Sequence, residues 1–591
     1  MDQPSLHDYA LIGDRRGAAL VSRAGSIDWC CLPRFDQGSC FGRLLDWGRG
    51  GFCAVEGEDL ETRRRYVEGT LVLETEVRSR SGVARVLDCM AMGDERRLLR
   101  VLEGVEGELE LCLRIVARFD YGETRPWLRV QDDGVVRLLG GDDAIVAWCD
   151  APLRPAGEHD LEARVTVRAG ERVRLSLAPA DPVEVGDGAR APNPDALDRE
   201  LDETVAYWRE VSEGAKTEDP AVLRSALTLS ALVYEPTGAV VAAPTTSLPE
   251  APGGERNWDY RYSWVRDSTF AARTLGEMGF HDVADGFARF VMRSAGGHAD
   301  ELQVAYGIFG SRRASELELD LEGYRGARPV RSGNGALAQT QRDELGELMQ
   351  MCWRWCERGK VLDDEEWGFI ASIVEHAIAH WSEPDQGFWE WRGDPRHFVH
   401  SKAACWGAVD RGLALASSQE RDCPAERWRA ARDEIAAALD EQGFDRERGT
   451  YVQAFGLRDL DATALLLPVT GYVAYDDERM VSTVDVLRAA LDDEGLLRRY
   501  DADDGLPSRE GAFLACSFWL ADCLAHQGRL DEAREVYERV METASPLGLF
   551  SEESDAESGE PLGNYPQGLT HLSHIAAALT LVEASSASAA R

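Results

Sequence analysis

The spacing of apolar residues changes once along this chain, near residue 219, and divides it into two parts. Before that point, short runs alternate apolar and polar residues, and Gly- and Asp-rich turns such as QDDGVV separate the runs. A period of two is typical of half-buried strands, and many short strands separated by turns indicate an antiparallel β-sandwich. The clearest runs are GTLVLETEVRS, ARVLDCMAM, LELCLRIVARFD, DAIVAWCD and ARVTVRAGERVRLSLAPA.

Beyond residue 219 the apolar period is 3.6, and about a dozen segments have the pattern of amphipathic helices. Examples are AVLRSALTLSALVY, GALAQTQRDELGELMQMCWRWCE, SKAACWGAVDRGLALA and GAFLACSFWLADCLAHQ. Such paired helices predict a barrel with an inner and an outer layer. An open α-solenoid is the alternative, although no fixed short repeat is visible.

These patterns predict an α+β chain of two domains. We expect a β-sandwich domain at residues 1–200, a linker helix at 201–218, a helical domain at 219–585 and a disordered tail at 586–591. The segment at 184–196 is rich in Gly, Pro and Asp and is typical of a linker. The C-terminal letters SSASAAR are typical of a frayed end.

Charge narrows the classes of partner. The formal net charge is −40, and only three of the 65 basic residues are lysine, namely Lys216, Lys360 and Lys402. Such a surface repels nucleic acid and anionic lipid, so we expect a neutral small-molecule substrate and no membrane or nucleic-acid partner. Excess acid with scarce lysine is also typical of proteins from salt-loving organisms. A GC-rich genome would explain the arginine bias but less directly the acidity.

The N-terminus shows no basic segment followed by an apolar one, and no apolar run has membrane-spanning length. A cytoplasmic location is therefore the default expectation. The 13 cysteines are scattered without a CxxC pair, which argues against a disulfide framework or a structural zinc site. We expect no metal and no cofactor, and a homo-oligomer is left open.

The stretch DQGFWEWRGDPRHFVH places one acid, Glu390, among Phe388, Trp389 and Trp391. A carboxyl held against indole rings loses hydration, so its pKa should rise and it could stay protonated near neutral pH. Protonated carboxyls beside tryptophan recur in sugar-cleaving sites. A tryptophan-rich core loop with a stray acid is the alternative.

Two other stretches carry matching chemistry. GLFSEESDAESGEPLGNYPQG holds Glu552 and Glu553 after an apolar run, and glycoside hydrolysis needs two carboxyls, one as acid and one as base. NWDYRYSWVRDS mixes aromatic residues with Arg266 and Asp267, the combination that grips sugar hydroxyls.

These stretches together resemble glycoside hydrolase family 15, the glucoamylases and the bacterial or archaeal trehalases. The likeness extends over nearly the whole chain, through YALIGDRRGAALVSRAGSIDWCCLPRFD, GYRGARPVRSGNGALAQ and EGAFLACSFWLADCLA. The resemblance implies an (α/α)6 barrel behind the β-sandwich. It also implies an inverting, exo-acting hydrolase of α-glucosides that releases β-glucose, with Glu390 as general acid and Glu552 as base.

The resemblance further implies substrate-binding residues, which are Tyr260, Trp264, Arg266, Asp267, Trp389, Arg499, Tyr500 and Glu510. Adjacent residues leave some of these choices open. Glu553 rivals Glu552, Arg498 rivals Arg499, and Glu510 could instead cap a helix. Gly387 stands where the family often has a second polar residue, so the tuning of the acid could differ.

Other classes of function remain as alternatives. A phosphorylase on a similar barrel would replace the base with a phosphate pocket, and the carboxylate at Glu552 argues against it. A carbohydrate-binding protein without activity would not need two acids. Within the family, the sequence favours α,α-trehalase over a glucoamylase that acts on maltooligosaccharides, because no starch-binding module is visible.

Overall fold

The computed structural model describes residues 3–93, 95–183, 190–502, 504 and 510–589. Its chain contacts divide it into two compact units. The first comprises the chain up to Tyr234 together with Asp320–Val330 and Ser545–Leu549, and the second comprises the rest. Of the predicted linker, residues 184–189 lie outside the described part.

The first unit consists of antiparallel strands whose burial alternates as the sequence pattern predicts. In Leu161–Arg168, for example, buried residues alternate with partly or fully exposed ones. The strands are β1 Tyr9–Gly13, β2 Ala18–Ser22, β3 Ser26–Cys31, β4 Ser39–Phe41, β5 Phe52–Glu56, β6 Glu61–Tyr66, β7 Leu73–Arg78, β8 Gly82–Met90, β9 Leu98–Val116, β10 Trp127–Val130, β11 Val136–Gly140, β12 Asp143–Cys149, β13 Arg154–Pro155, β14 Leu161–Arg168 and β15 Arg172–Pro179.

The 19-residue strand β9 belongs to two sheets. Its first half pairs with β8 and β15, in the order β10-β11-β12-β15-β9-β8-β7-β6. Its second half pairs with β5 and β14, in the order β1-β2-β3-β5-β9-β14-β13, with β4 beside β3. Because β1 contacts β8, the sheets lie face to face. The predicted antiparallel β-sandwich is confirmed.

Two helices complete the first unit, α1 (Pro194–Glu213) and α2 (Pro220–Ala231). The side chain of Asn193 caps α1 by accepting from the Asp195 amide at 2.9 Å. Leu197 and Leu201 of α1 pack into the core of the β8–β9 sheet. The helix expected at 201–218 thus begins earlier, and α2 groups with the sandwich although the predicted boundary at 219 assigns it to the helical domain.

The second unit contains eleven further α-helices within its described residues. They are α3 Val265–Glu277, α4 His281–Ser294, α5 Asp343–Glu357, α6 Asp364–His380, α7 Val399–Ser418, α8 Ala425–Gln442, α9 Leu467–Thr470, α10 Glu478–Leu491, α11 Leu514–His526, α12 Leu530–Met541 and α13 Gly568–Ala589. A 3-10 helix, Ala462–Leu466, leads into α9. Residues 586–589, which we expected in a disordered tail, continue α13, and residues 590 and 591 lie outside the described part.

Six helical segments form a closed inner ring. α3 contacts α5, α5 contacts α7, α7 contacts α9, the adjoining 3-10 helix contacts α11, α11 contacts α13, and α13 returns to α3. Outside this ring, α4 packs on α3, α6 and α8 on α7, α10 on α11, and α12 on α11 and α13. Because the last helix contacts the first, the open solenoid is excluded and the (α/α)6 barrel is confirmed.

Short strands connect the helices, and several lie directly before an inner helix. They are β16 Val233–Tyr234, β17 Ala239–Val240, β18 Ser263–Trp264, β19 Ala305–Tyr306, β20 Leu317–Leu319, β21 Val330–Ser332, β22 Phe444–Asp445, β23 Thr450–Tyr451, β24 Asp492–Asp493, β25 Leu496–Leu497, β26 Ala512–Phe513, β27 Glu553–Ser554 and β28 Pro561–Leu562. β18 leads into α3, and β26 pairs with β27 and leads into α11. These connections place the loops of the site at the N-terminal ends of inner helices.

Candidate active site

One cavity of the helical unit is lined by the N-terminal ends of α3, α11 and α13 and by four loops. Eight aromatic, five acidic and four arginine side chains face it, a mixture suited to sugar rings and hydroxyls. The lining residues are Ala242, Glu250, Arg256, Trp258, Tyr260, Trp264, Arg266, Asp267, Phe388, Trp389, Glu390, Trp391, Arg392, Arg499, Tyr500, Asp504, Phe513, Glu552, Gln567 and Leu569. Every residue predicted for the site except Glu510 therefore lines one cavity.

Glu390 lies in this cavity with its carboxyl held by an indole. Trp264 Nε1 donates a hydrogen bond to Glu390 Oε1 at 2.6 Å, and Arg266 Nη2 lies 3.7 Å from the same oxygen. Burial raises the pKa of Glu390, and the charges of Arg266 and Arg392 oppose that rise. The rise predicted from the sequence is present. The indole that donates the hydrogen bond to the carboxyl, however, belongs to Trp264, which is far from Glu390 in sequence.

The loop that carries Glu390 is anchored on both sides. The side-chain amide of Gln339 donates to the Glu390 carbonyl at 3.1 Å, and Trp389 Nε1 donates to Asp461 Oδ1 at 2.8 Å. Glu390 itself has a φ of +57°, a conformation that costs a non-glycine residue about 1–3 kcal/mol and that clusters at functional sites. Gly387 fits here because a Cβ would lie 2.6 Å from the Phe398 ring. The surrounding contacts fix the direction of the acid.

Glu552 faces the same cavity from the loop before β27. Tyr260 Oη donates to its Oε1 at 2.8 Å. Burial raises the pKa of Glu552 well above its ordinary range, and the charge of Glu250 raises it further. The hydrogen bond from Tyr260 and the charge of Arg499 lower it. Glu552 is thus a buried carboxyl whose ionised form has two favourable partners.

Glu553, the rival of Glu552, points elsewhere. Its Oε2 accepts from the Gly511 amide at 2.9 Å, and it does not line the cavity. Adjacent residues of an extended segment face opposite sides, which separates the two acids. The structure therefore brings Glu552, and not Glu553, together with Glu390.

Arg266 and Asp267 occupy the first turn of α3. Arg266 Nη1 donates to Gln341 Oε1 at 2.9 Å, its Nη2 donates to Asp267 Oδ2 at 3.2 Å, and its guanidinium lies 4.2 Å above the Phe388 ring. Burial raises the pKa of Asp267, and Arg266 opposes that rise. Both side chains are rigidly held at the cavity wall, where a carboxylate and a guanidinium are suited to sugar hydroxyls.

Arg499 and its neighbours form the opposite wall. Arg499 Nε donates to Glu510 Oε1 at 2.7 Å and its Nη2 donates to Glu250 Oε2 at 3.2 Å. Glu510 therefore holds Arg499 and does not itself face the cavity. Arg498, the rival of Arg499, is directed toward the Ala490 carbonyl. Tyr500 Oη donates to Asp504 at 2.7 Å.

Residues 217–579 match the family described as Glycosyl hydrolases family 15, and residues 2–154 match a domain described as Trehalase-like, N-terminal. The chain belongs to glycosyl hydrolase family 15. The predicted resemblance is thus confirmed, and the chain is a glycoside hydrolase.

Among its relatives in family 15 are two proteins named Trehalase. The one from Mycobacterium tuberculosis is 38% identical over 98% of this chain and 90% of its own, and the one from Thermoplasma volcanium is 34% identical over 98% and 94%. A bacterial glucoamylase solved with acarbose has a TM-score of 0.75 over 99% of this chain and 95% of its own. At 11% identity, that likeness concerns the fold.

Several lining residues of this family 15 site were not predicted from the sequence. Glu250 and Arg256 lie in the loop before β18, Trp258 belongs to the stretch NWDYRYSWVRDS but was given no role, and Gln567 precedes α13. Arg256 forms a two-pronged pair with Asp504 at 2.7 and 2.9 Å, and such a pair leaves no local sequence pattern. The only signal was their place in a loop next to an inner helix.

Three acids near this family 15 site lie close enough together to be considered as ligands of a cation. Glu250, Glu510 and Glu553 bring carboxylate oxygens within 4.8 Å of one another. The guanidinium of Arg499 already supplies a positive charge to Glu250 and Glu510.

His400 is buried behind the loop that carries Glu390. Burial lowers the pKa of His400 to about 3, and its ring packs against Phe388 with centroids 5.6 Å apart.

Two further basic residues near Glu390, His397 and Lys402, do not line the cavity. Lys402 Nζ donates to the Glu383 carbonyl, and His397 stacks on Phe455 with centroids 6.3 Å apart. Their contacts stabilise the loop and its flanks. Within the described ranges, no helix combines the length and apolarity needed to cross a bilayer.

Proposed function

We propose that this family 15 enzyme is an inverting, exo-acting α-glucoside hydrolase whose substrate is α,α-trehalose. One observation carries the proposal: two carboxyls from distant parts of the chain, the half-buried Glu390 and the buried Glu552, line one cavity and have different hydrogen-bond donors. The two relatives named Trehalase, matched over nearly their whole lengths, support the choice of substrate.

In this proposal Glu390 is the general acid. Its raised pKa favours the protonated carboxyl, which gives its proton to the glycosidic oxygen as the bond breaks. Trp264 holds Oε1 of Glu390 by its hydrogen bond, and the anchored loop fixes the direction of the other oxygen, Oε2. Arg266 stabilises the carboxylate that remains after the transfer.

Glu552 is the proposed base that activates water. The hydrogen bond from Tyr260 and the charge of Arg499 favour its ionised form, while burial makes that form a strong base. Water attacks the anomeric carbon from the face opposite the leaving sugar, and Glu552 takes its proton. Arg266, Asp267 and Arg499 are the proposed partners of the sugar hydroxyls.

The stereochemical part of the proposal concerns how two aromatic side chains hold the two carboxyls. Tyr260 holds Glu552 and Trp264 holds Glu390, and the two rings pack edge to face with centroids 5.5 Å apart. Each carboxyl is thus held by one of two neighbouring rings, and we propose that they form an inverting pair. An inverting pair stands roughly 6.5–9.5 Å apart, because a water molecule must fit between base and sugar.

Glucoamylase activity on maltooligosaccharides is the second candidate. The structural likeness to a bacterial glucoamylase favours it, but at 11% identity that likeness extends to the fold alone. A phosphorylase is disfavoured because a carboxylate, Glu552, occupies the base position. Three expectations stay predictions: a neutral substrate, independence from cofactors and a cytoplasmic location. The oligomeric state stays open.

A single assay tests the substrate. Purified enzyme is incubated with trehalose, maltose, maltotriose and isomaltose at equal concentration, and the release of glucose is followed. We expect trehalose to give the highest kcat/KM, and the Glu552→Gln variant to lose on the order of 10²–10⁴ in kcat on whichever sugar is cleaved. A higher kcat/KM for maltotriose than for trehalose would favour glucoamylase.

A further inference from the structure

Glu250 is a buried acid of the cavity, and the proposed reaction assigns it no role so far. It lies in the loop before α3 and is 2% exposed. Its backbone carbonyl accepts from the Gly511 amide at 3.4 Å, and the preceding carbonyl of Pro249 accepts from the Gly563 amide at 2.8 Å. The turn at Glu250 is therefore hydrogen-bonded to two segments. One contains Gly511, which follows Glu510, a partner of Arg499. The other contains Gly563, which follows the β27–β28 hairpin that begins beside Glu552.

The side chain of Glu250 shares one guanidinium with a second acid. Arg499 Nη2 donates to Glu250 Oε2 at 3.2 Å, while Arg499 Nε donates to Glu510 at 2.7 Å. The other nearby cation, Arg256, pairs with Asp504 and with Glu510 at 3.1 Å. Glu510 thus has two cationic partners, whereas Glu250 forms an ion pair with Arg499 alone among the described residues.

The surroundings of Glu250 are rich in ionisable groups. Two cations act on it, Arg499 and Arg256, and it interacts with four acids and one phenol, namely Glu510, Glu390, Glu552, Glu553 and Tyr260. A charge removed from this buried position changes the potential at the catalytic carboxyls, because little water is present to screen it.

We propose that Glu250 is a positioning residue that holds Arg499 toward the sugar and acts on Glu552 through its charge. Two facts about titration agree with this geometry. Burial raises the pKa of Glu250 to about 7, so its charge changes near neutral pH. The charge of Glu250 is the second cause, after burial, of the raised pKa of Glu552.

The sign of the effect follows from these charges. Ionised Glu250 repels the charge of ionised Glu552 and so favours the protonated form of the base. Neutralising position 250 should therefore lower the pKa of Glu552, and the base would become active at lower pH. The shift should be on the order of one pH unit, the size expected for one buried neighbouring charge.

The test compares the pH dependence of kcat/KM for the wild-type enzyme, Glu250→Gln and Glu510→Gln. Glutamine at 250 keeps the size of the side chain and an oxygen that can accept from Arg499, but loses the charge. We expect its acid limb to move to lower pH by about one unit. Glu510→Gln also weakens an ion pair of Arg499 and should raise KM, with the acid limb near its wild-type position.

Two results would overturn the inference: an acid limb of Glu250→Gln that coincides with the wild type, or an equal shift in Glu510→Gln. If Glu250→Gln does not fold, Glu250→Asp replaces it. Aspartate keeps the charge but withdraws it from Arg499, so KM should rise while the acid limb stays in place, and a limb that moves to lower pH contradicts the inference.

The inference rests on the proposed role of Glu552 as base, but the two fail separately. The profiles are recorded on whichever α-glucoside the wild-type enzyme cleaves, so a wrong substrate does not affect them. An active Glu552→Gln variant would remove the base assignment itself. An inactive Glu552→Gln variant together with an unshifted Glu250→Gln profile would remove only the inference about Glu250.

Discussion

Tyr260 donates a 2.8 Å hydrogen bond to Glu552 from a ring that packs against Trp264, the residue that holds Glu390. One short stretch before α3 thus positions both carboxyls of the site. The two aromatic rings therefore contribute to holding the acid and the base in place, together with the loops that carry them. This relationship makes the roles of the two acids open to direct test.

The two carboxyls should each be needed for turnover. Glu390→Gln and Glu552→Gln keep size and shape but remove the proton chemistry, so each should lose on the order of 10²–10⁴ in kcat. Glu553→Gln is the matched control, since Glu553 faces away from the cavity. Near-normal turnover of a folded Glu390 or Glu552 variant would remove that residue from its role.

Removal of the Tyr260 hydroxyl should weaken the base in a pH-dependent way. The hydrogen bond favours ionised Glu552 and lowers its pKa, so Tyr260→Phe should raise that pKa and move the acid limb of kcat/KM to higher pH. At pH values below the acid limb, kcat/KM of the variant should be about 10- to 100-fold lower than that of the wild type, since a hydrogen bond to a charged group contributes about 1.5–3 kcal/mol. A shift toward lower pH would contradict the contact with Glu552.

Gly563 should be needed because its missing side chain leaves room for Glu552. A Cβ at this position would lie 2.5 Å from Glu552 Oε2. Gly563→Ala should therefore displace the base and lower kcat by at least about tenfold, because small misplacements in a site are costly. Gly559→Ala is the matched control.

Gly559 lies in the same hairpin and has a φ of +71°, close to the +75° of Gly563, but a Cβ there would meet open space. Both alanine variants therefore carry similar backbone strain, and only one presses on the base. Circular dichroism and melting temperature confirm that each is folded. Equal losses of activity in the two variants would show that strain alone is responsible.

Molar salt should stabilise the fold. The net charge of −40 repels itself at low ionic strength, and the screening length falls to about 3 Å at 1 M salt. We expect the melting temperature to rise between low and molar NaCl. A flat or falling melting curve in differential scanning calorimetry would count against salt adaptation and leave the arginine bias to genome composition.

The sequence predicted the architecture well because the change in apolar period marks where strands end and helices begin. Contacts between residues far apart in sequence could not be predicted from these patterns. Trp264 and Glu390 are 126 positions apart, and Glu250 and Arg499 are 249 apart, so no local pattern connects them. Their juxtaposition depends on which helices meet in the ring.

Neighbouring residues show a second limit. Glu552 and Glu553 have the same chemistry and differ only in the side of the segment that they face, which depends on how the segment enters β27. For Glu510, sugar binding and helix capping were both left open by the sequence, and the structure adds its contact with Arg499 and its place outside the cavity lining. Side-chain direction in loops follows from tertiary contacts and not from residue type.

The anomeric form of the first product tests the central claim most directly. Trehalose joins two α-glucose units, and an inverting enzyme converts only the attacked unit to the β form. Proton NMR of the anomeric region in the first minutes should therefore show β- and α-glucose in equal amounts, before mutarotation changes the ratio. If α-glucose alone appears first, the reaction proceeds with retention, and Glu552 would be a nucleophile and not the base that activates water.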